Sequence, residues 1–320
     1  TGYLIATALP WGTHPYWILL TITVVLRGSL AQTLERRNSR VVGTLVGSLV
    51  AGAILSAHAS PLVLLLTVTI AQGVAHAFAI RRYLITAVAA TVLALVQAHL
   101  LNSDVSAAFE AFERIADTVI GVSIAWAFSY VLPSWERTQI PILVKRTLQA
   151  HAHHAKLALG LGQLVAVDNE PELEWRLARK EAYDSLSALV QATQRSLSEP
   201  RAVRPPLEPL GRLLAHSYQL LAQLTAAKTM LLLRRGRLDA AQLAVPLQHA
   251  AEAIATTLTV LAPRVGDAPT QADRSTEPLA LPDPFEHDLS PWLLRRLQLA
   301  VALAVDVRSD AQQVLEPASA

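Results

Sequence analysis

VVGTLVGSLVAGAILSAHASPLVLLLTVTIAQGVAHAFAI, residues 41–80, is forty consecutive positions without Asp, Glu, Lys or Arg. About 20 apolar residues suffice for a helix to cross the roughly 30 Å of bilayer hydrocarbon. The one break in the run, His58-Ala59-Ser60-Pro61, joins turn-forming residues to a proline suited to the first position of a new helix. The stretch therefore reads as two membrane spans back to back. They are helices because every backbone N–H and C=O in lipid must be satisfied within the segment.

Working outward, residues 1–26 carry no charge, and Trp11-Gly12-Thr13-His14-Pro15 divides them into the end of one span and the start of a second at Pro15–Leu26. Tyr83–Leu101 makes a fifth span and Ile115–Leu132 a sixth. The sixth is closed by Pro133, with Trp126, Tyr130 and Trp135 as expected interfacial anchors. Six spans result. The first is truncated, since Thr1–Leu9 reads as the later half of a helix and implies a start partway through a longer protein. Arg27, Arg36, Arg37 and Arg40 lie between spans two and three, and Arg81 and Arg82 between four and five. The alternate turns lack Lys and Arg. By the positive-inside rule the basic turns, and everything after Pro133, face the cytoplasm.

Composition divides the chain at the same place. Of 320 residues 52% are hydrophobic and 16% charged, with a mean hydropathy of +0.35, too apolar for an ordinary soluble domain. Residues 1–133 hold 12 charged side chains and residues 134–320 hold 40. The expected architecture is all-α: a transmembrane helical domain over 1–133 and a cytoplasmic antiparallel helical bundle over 134–320. In the second part apolar residues recur at helical spacing and predict helices at 138–166, 171–197, 206–235, 237–262 and 290–315. Proline-rich breaks fall at 200–209 and 263–284, the second a long loop.

Several activities are disfavoured. Without cysteine there is no disulfide, thiolate metal site or Cys nucleophile. A net charge of +2, with basic residues clustered beside apolar runs, points to membrane topology and away from nucleic acid. No phosphate-loop, dinucleotide, G-x-S-x-G or H-E-x-x-H pattern occurs, so neither an enzyme nor a cofactor is expected. His151-Ala152-His153-His154 has metal-like spacing but no completing ligand nearby, and reads as a solvated histidine run.

Polar residues inside the spans are the candidates for function, because they are costly in lipid. Glu110, Glu113, Arg114 and Asp117 share spacings of three and four at the start of span six. Arg114 can pair along one helical face, and Asp117 lies about a turn inside the boundary. Asp117 is either a proton-coupling group or half of a structural ion pair. Gln72 and His76, one turn apart in span four, and Gln97 and His99 in span five either line a pathway or join helices by hydrogen bonds. Arg40 attracts an anion or enforces topology. Tyr16 and Trp17 fit an interfacial belt. Gly43 and Gly47, with Gly121 in span six, are expected at helix contacts, where small residues admit a neighbouring backbone.

The ordered series His14-Pro15-Tyr16-Trp17-Ile18-Leu19-Leu20-Thr21, Arg40-Val41-Val42-Gly43-Thr44-Leu45-Val46-Gly47, Arg114-Ile115-Ala116-Asp117-Thr118-Val119-Ile120-Gly121 and Val131-Leu132-Pro133-Ser134-Trp135 resembles the membrane repeat of fusaric-acid-resistance-like proteins. That family includes the aromatic acid exporters and is more distantly similar to plant aluminium-activated malate channels. The resemblance covers about residues 1–136. It implies inner-membrane efflux of aromatic or other organic acids, in some members with a periplasmic adaptor protein. It also implies two six-helix units per protein, of which this chain looks like the second. Substrate sites form where repeats meet near the midplane, so pairing with an upstream repeat or a second copy, as a dimer, is expected. The leading expectation is a proton-driven exporter of organic anions, with Asp117 and His76 as coupling candidates and Arg40 and Arg114 as anion-attracting ones. A passive organic-anion channel and a non-transporting membrane scaffold that recruits a partner remain the alternatives.

Overall fold

The computed structural model describes residues 16–101, 106–131, 134–160, 170–259 and 287–316. Among these the secondary structure is helical without strands, ten α-helices and two short 3₁₀ turns. The chain divides into two compact units, Thr1–Trp135 and Glu136–Ala320.

The membrane unit contains α1 (Tyr16–Val25), α2 (Leu30–Ser56), α3 (Pro61–Phe78), α4 (Tyr83–Leu101) and α5 (Ala107–Val131). Helices α2, α3 and α4 are each long and apolar enough to cross a membrane. Helix α1 is apolar but short, and α5 carries Glu110, Glu113, Arg114 and Asp117 in its first turns. The expected first span lies outside the described residues, as do the turn at 10–15 and the closing Pro133.

Local chemistry explains the boundaries. His58, at the break in the forty-residue run, adopts φ 47°, and Pro61 opens α3 at a position where its missing N–H costs nothing. The arginine-rich segment expected to be a turn is largely helix. Ser29 caps α2, accepting the Gln32 N–H at 3.3 Å, and the Gln, Glu and Arg residues that follow are good helix formers. Span three is thus the apolar later part of a 27-residue helix.

Close contacts set the packing. A Cβ added at Gly43 would lie 2.5 Å from the Ala87 Cβ, and one at Gly47 would lie 2.7 Å from the Thr91 Cβ. The contacts advance four residues along both helices, so α2 and α4 run parallel, backbone against backbone. A Cβ at Gly121 on α5 would lie 2.8 Å from the Thr21 Cβ on α1. The Thr44 and Thr118 hydroxyls hydrogen-bond at 3.3 Å between α2 and α5, and Thr21 and Thr91 donate to carbonyls one turn back. Large apolar side chains such as Leu49, Leu62 and Ile70 point outward, as lipid-facing residues do.

The second unit is a bundle of α6 (Glu136–Leu159), α7 (Glu170–Ser196), α8 (Leu207–Leu233), α9 (Ala240–Thr259) and α10 (Ser290–Leu315). Its core joins Val144, Leu148, Leu189, Leu224, Ile254 and Leu297. The Glu136 carboxylate accepts Arg195 Nε at 2.6 Å and Nη2 at 3.0 Å, while the Glu136 N–H donates to Glu199 at 2.8 Å. The start of α6 is thereby fastened to the end of α7. Reading His151–His154 as a solvated run is corrected here: His151 and His154 are fully buried and only His153 faces water. The spacing of three puts the two on one helix face, and that face is the core. Burial, and for His151 the neighbouring His154, pushes the imidazoles down from 6.5, His151 to about 3 and His154 to about 4. Among the described residues no three His, Cys, Asp or Glu side chains form a metal-binding group. The expected loop at 263–284 lies outside the described residues.

Candidate anion site in the membrane unit

A cavity of about 480 Å³ lies within the membrane unit. Along one wall stand Tyr83, Thr86, Ala90, Leu93, Gln97 and Leu101, successive turns of one face of α4. These eighteen steps at about 1.5 Å each come to about 27 Å, close to the hydrocarbon thickness. The cavity is therefore a groove running the length of a membrane helix. Tyr16, Trp17, Leu20 and Val24 of α1 line it too, and α2 and α5 contribute Arg40 and Arg114.

Both arginines are buried, Arg40 4% and Arg114 1% exposed. Nε and Nη2 of Arg40, and Nε and Nη1 of Arg114, have no hydrogen-bond partner among the described residues. A buried guanidinium with idle donors is costly, and an anion in the groove would satisfy it. Arg114 is partly compensated where it stands. Its Cζ lies 4.7 Å from the centre of the Trp17 ring, a cation–π contact, and Asp117 attracts it while Arg40 repels it. Glu110, Glu113 and Asp117 are all buried. Around the arginines the wall is chiefly aromatic and aliphatic, the pattern of a site that orients an apolar body by a few polar contacts.

Of the sequence candidates, Arg40 and Arg114 meet in this groove, with Asp117 beside Arg114. Gln97 also lines it. Gln72 and His76 do not: they lie on the exposed face of α3, where His76 Nδ1 pairs with the Gln72 carbonyl at 2.9 Å. Gly43, Gly47 and Gly121 lie at helix contacts. Trp17, expected in an interfacial belt, is 3% exposed beneath Arg114. The sequence marks Tyr83 and Thr86 only by the three-and-four spacing of polar or aromatic residues along Tyr83–Leu101.

Helices of this length and apolarity around a buried pair of arginines define a polytopic, all-helical membrane protein. Residues 1–128 match the family described as fusaric acid resistance protein-like, the family whose motifs the chain resembles. The chain is 29% identical over 215 residues to the inner membrane protein YccS of Escherichia coli, covering 67% of this chain and 29% of that protein. It is 28% identical over 213 residues to an uncharacterized protein of Haemophilus influenzae, again 29% of its length. To the uncharacterized protein ORF2 of Neisseria gonorrhoeae it is 30% identical over 190 residues, 58% of this chain and 44% of that protein. The chain thus spans less than a third of the length of the first two.

Proposed function

We propose that this protein exports organic anions, aromatic carboxylates foremost, across the inner membrane, with the groove between α1 and α4 as their path and the proton gradient as the driving force. The observation that carries the proposal is the buried pair Arg40 and Arg114, with unpartnered N–H donors in a groove that follows α4 for about the thickness of the hydrocarbon core. A carboxylate suits a guanidinium because two parallel N–H···O bonds match its geometry, and Trp17 and Tyr83 offer ring faces to an aromatic body. Asp117, buried beside Arg114, is the coupling group: protonation there alters how strongly Arg114 holds an anion. The arginine-rich segments and the helical bundle face the cytoplasm in this reading, and an upstream repeat or a second copy completes the open side of the groove.

The test is efflux of a panel of aromatic and aliphatic carboxylic acids from cells expressing the protein, wild type against Asp117→Asn at matched membrane abundance, with and without an uncoupler. Uncoupler-sensitive efflux that Asp117→Asn abolishes supports coupled export. Flux that ignores the uncoupler makes the protein a passive channel. No flux of any acid, with normal insertion, contradicts the proposal and favours a scaffold.

A further inference from the structure

A second cavity, about 400 Å³, is lined by Arg27, Gln32, Glu35, Arg36, Arg81 and Tyr83, among others. It lies at the arginine-rich end of the membrane unit, where α2 and α4 begin. It shares one lining residue with the long groove, and that residue is Tyr83. The Tyr83 ring stands between a basic antechamber and the groove that holds Arg40 and Arg114.

Three features bear on what holds the ring in place. The Arg36 Cζ sits 4.2 Å from its centre, a cation–π contact worth about 0.5–2 kcal/mol. The Tyr83 hydroxyl is buried and has no hydrogen-bond partner among the described residues. Tyr83 is also the first residue of α4, at a helix end. Ring stacking and packing, with no hydroxyl anchor, hold this partition.

We infer that Tyr83 is the inner gate of the groove and Arg36 its latch, opened by the anion itself. The inference rests on the anion-path reading above. A carboxylate entering the antechamber competes with the Tyr83 ring for the Arg36 guanidinium. A charge-assisted hydrogen bond to a carboxylate is stronger than the ring contact. Arg36 turns to the anion, the ring loses its stacking partner, and the way to Arg40 clears. Apolar solutes and cations cannot release the latch. Selectivity for anions thus begins before the groove, at a residue that need not stay bound to the solute. Glu35 on the antechamber wall disfavours anions lingering there.

The chain has no cysteine, so Ala90→Cys places a single thiol in the groove beyond Tyr83. The probe is a cationic, membrane-impermeant methanethiosulfonate, which cannot release the latch, applied to vesicles of either orientation so that the arginine-rich face is reached in one of them. Labelling from that face is slow in the Ala90→Cys parent, at least tenfold faster with Tyr83→Ala added, intermediate with Arg36→Gln, and unchanged with Tyr83→Phe, which keeps the ring. Equal rates in the parent and a folded Tyr83→Ala overturn the gate. Should Tyr83→Ala fail to fold, Arg36→Gln decides: no acceleration overturns the gate as well. The readout needs no transported substrate. A Tyr83-dependent rate in a protein that moves no carboxylate would refute the export reading and leave the partition intact.

Discussion

At the scale of single residues, the chemistry concentrates on a few side chains whose direction, more than their identity, gives them a role. Arg40 was legible as a charge beside an apolar run, and that position fits a topology marker equally well. Only the fold shows it turned inward with idle donors. Trp17 is similar: a tryptophan at a helix start fits the aromatic belt, yet this one is buried under Arg114. In a segment apolar on every side, no polar stripe marks which face meets protein and which meets lipid, so inward direction is hidden from the sequence. If Trp17 supports an aromatic body, Trp17→Leu should weaken benzoate binding several-fold and leave acetate nearly unchanged, with Trp17→Phe close to wild type. Titration calorimetry on the purified protein measures this, and equal losses for both acids would contradict the role. Arg114→Lys should recover only part of the affinity, because an ammonium cannot form the paired contacts of a guanidinium.

At the scale of helices, the sequence was far more informative. The second unit's five helices fall within a few residues of the apolar periodicity over the described residues, the expected end of the first at 161–166 lying outside them, and the break at His58–Pro61 is visible in its turn residues. Gly43 and Gly47 were recognisable as a small-residue face, though the partner helix was not, because several apolar helices could meet it. Gly47→Val should lower the yield of folded protein sharply, since Thr91 and the Val88 carbonyl already occupy the space within 3 Å and such overpacking costs about 1–3 kcal/mol. Fluorescence-detected gel filtration would show it, and a normal monodisperse peak would count against this packing. In the second unit, Arg195→Ala strands the Glu136 carboxylate, only 2% exposed, and should cost about 3 kcal/mol. The Arg146–Glu181 pair has similar geometry but is half exposed, so Arg146→Ala should leave the melting temperature nearly unchanged. Equal effects of the two variants would show that burial is not what distinguishes the pairs.

At the scale of the whole molecule, the charge count changes near residue 133 and the chain divides into two compact units at Trp135 and Glu136. The histidine pair in the second unit makes stability depend on pH. Folded His151 and His154 have values lowered to about 3 and about 4, against 6.5 when unfolded. The unfolded chain therefore binds more protons below pH 6.5, and stability present above that value is lost progressively as pH falls toward about 4. At pH 5 the loss is about 2 kcal/mol per histidine. The thermal midpoint should drop between pH 7 and pH 5, and a His151→Leu, His154→Leu double variant should drop much less; identical acid sensitivity in both would refute the assignment. Whether benzoate crosses by way of the groove is read from radiolabelled benzoate counterflow in proteoliposomes, comparing wild type with Arg40→Gln, Arg114→Gln and the double variant at equal reconstituted protein. Counterflow should be rapid in wild type, slower by tenfold or more in each single variant and undetectable in the double. Wild-type rates in the folded double variant would show that benzoate crosses without these arginines and that the groove is not its path.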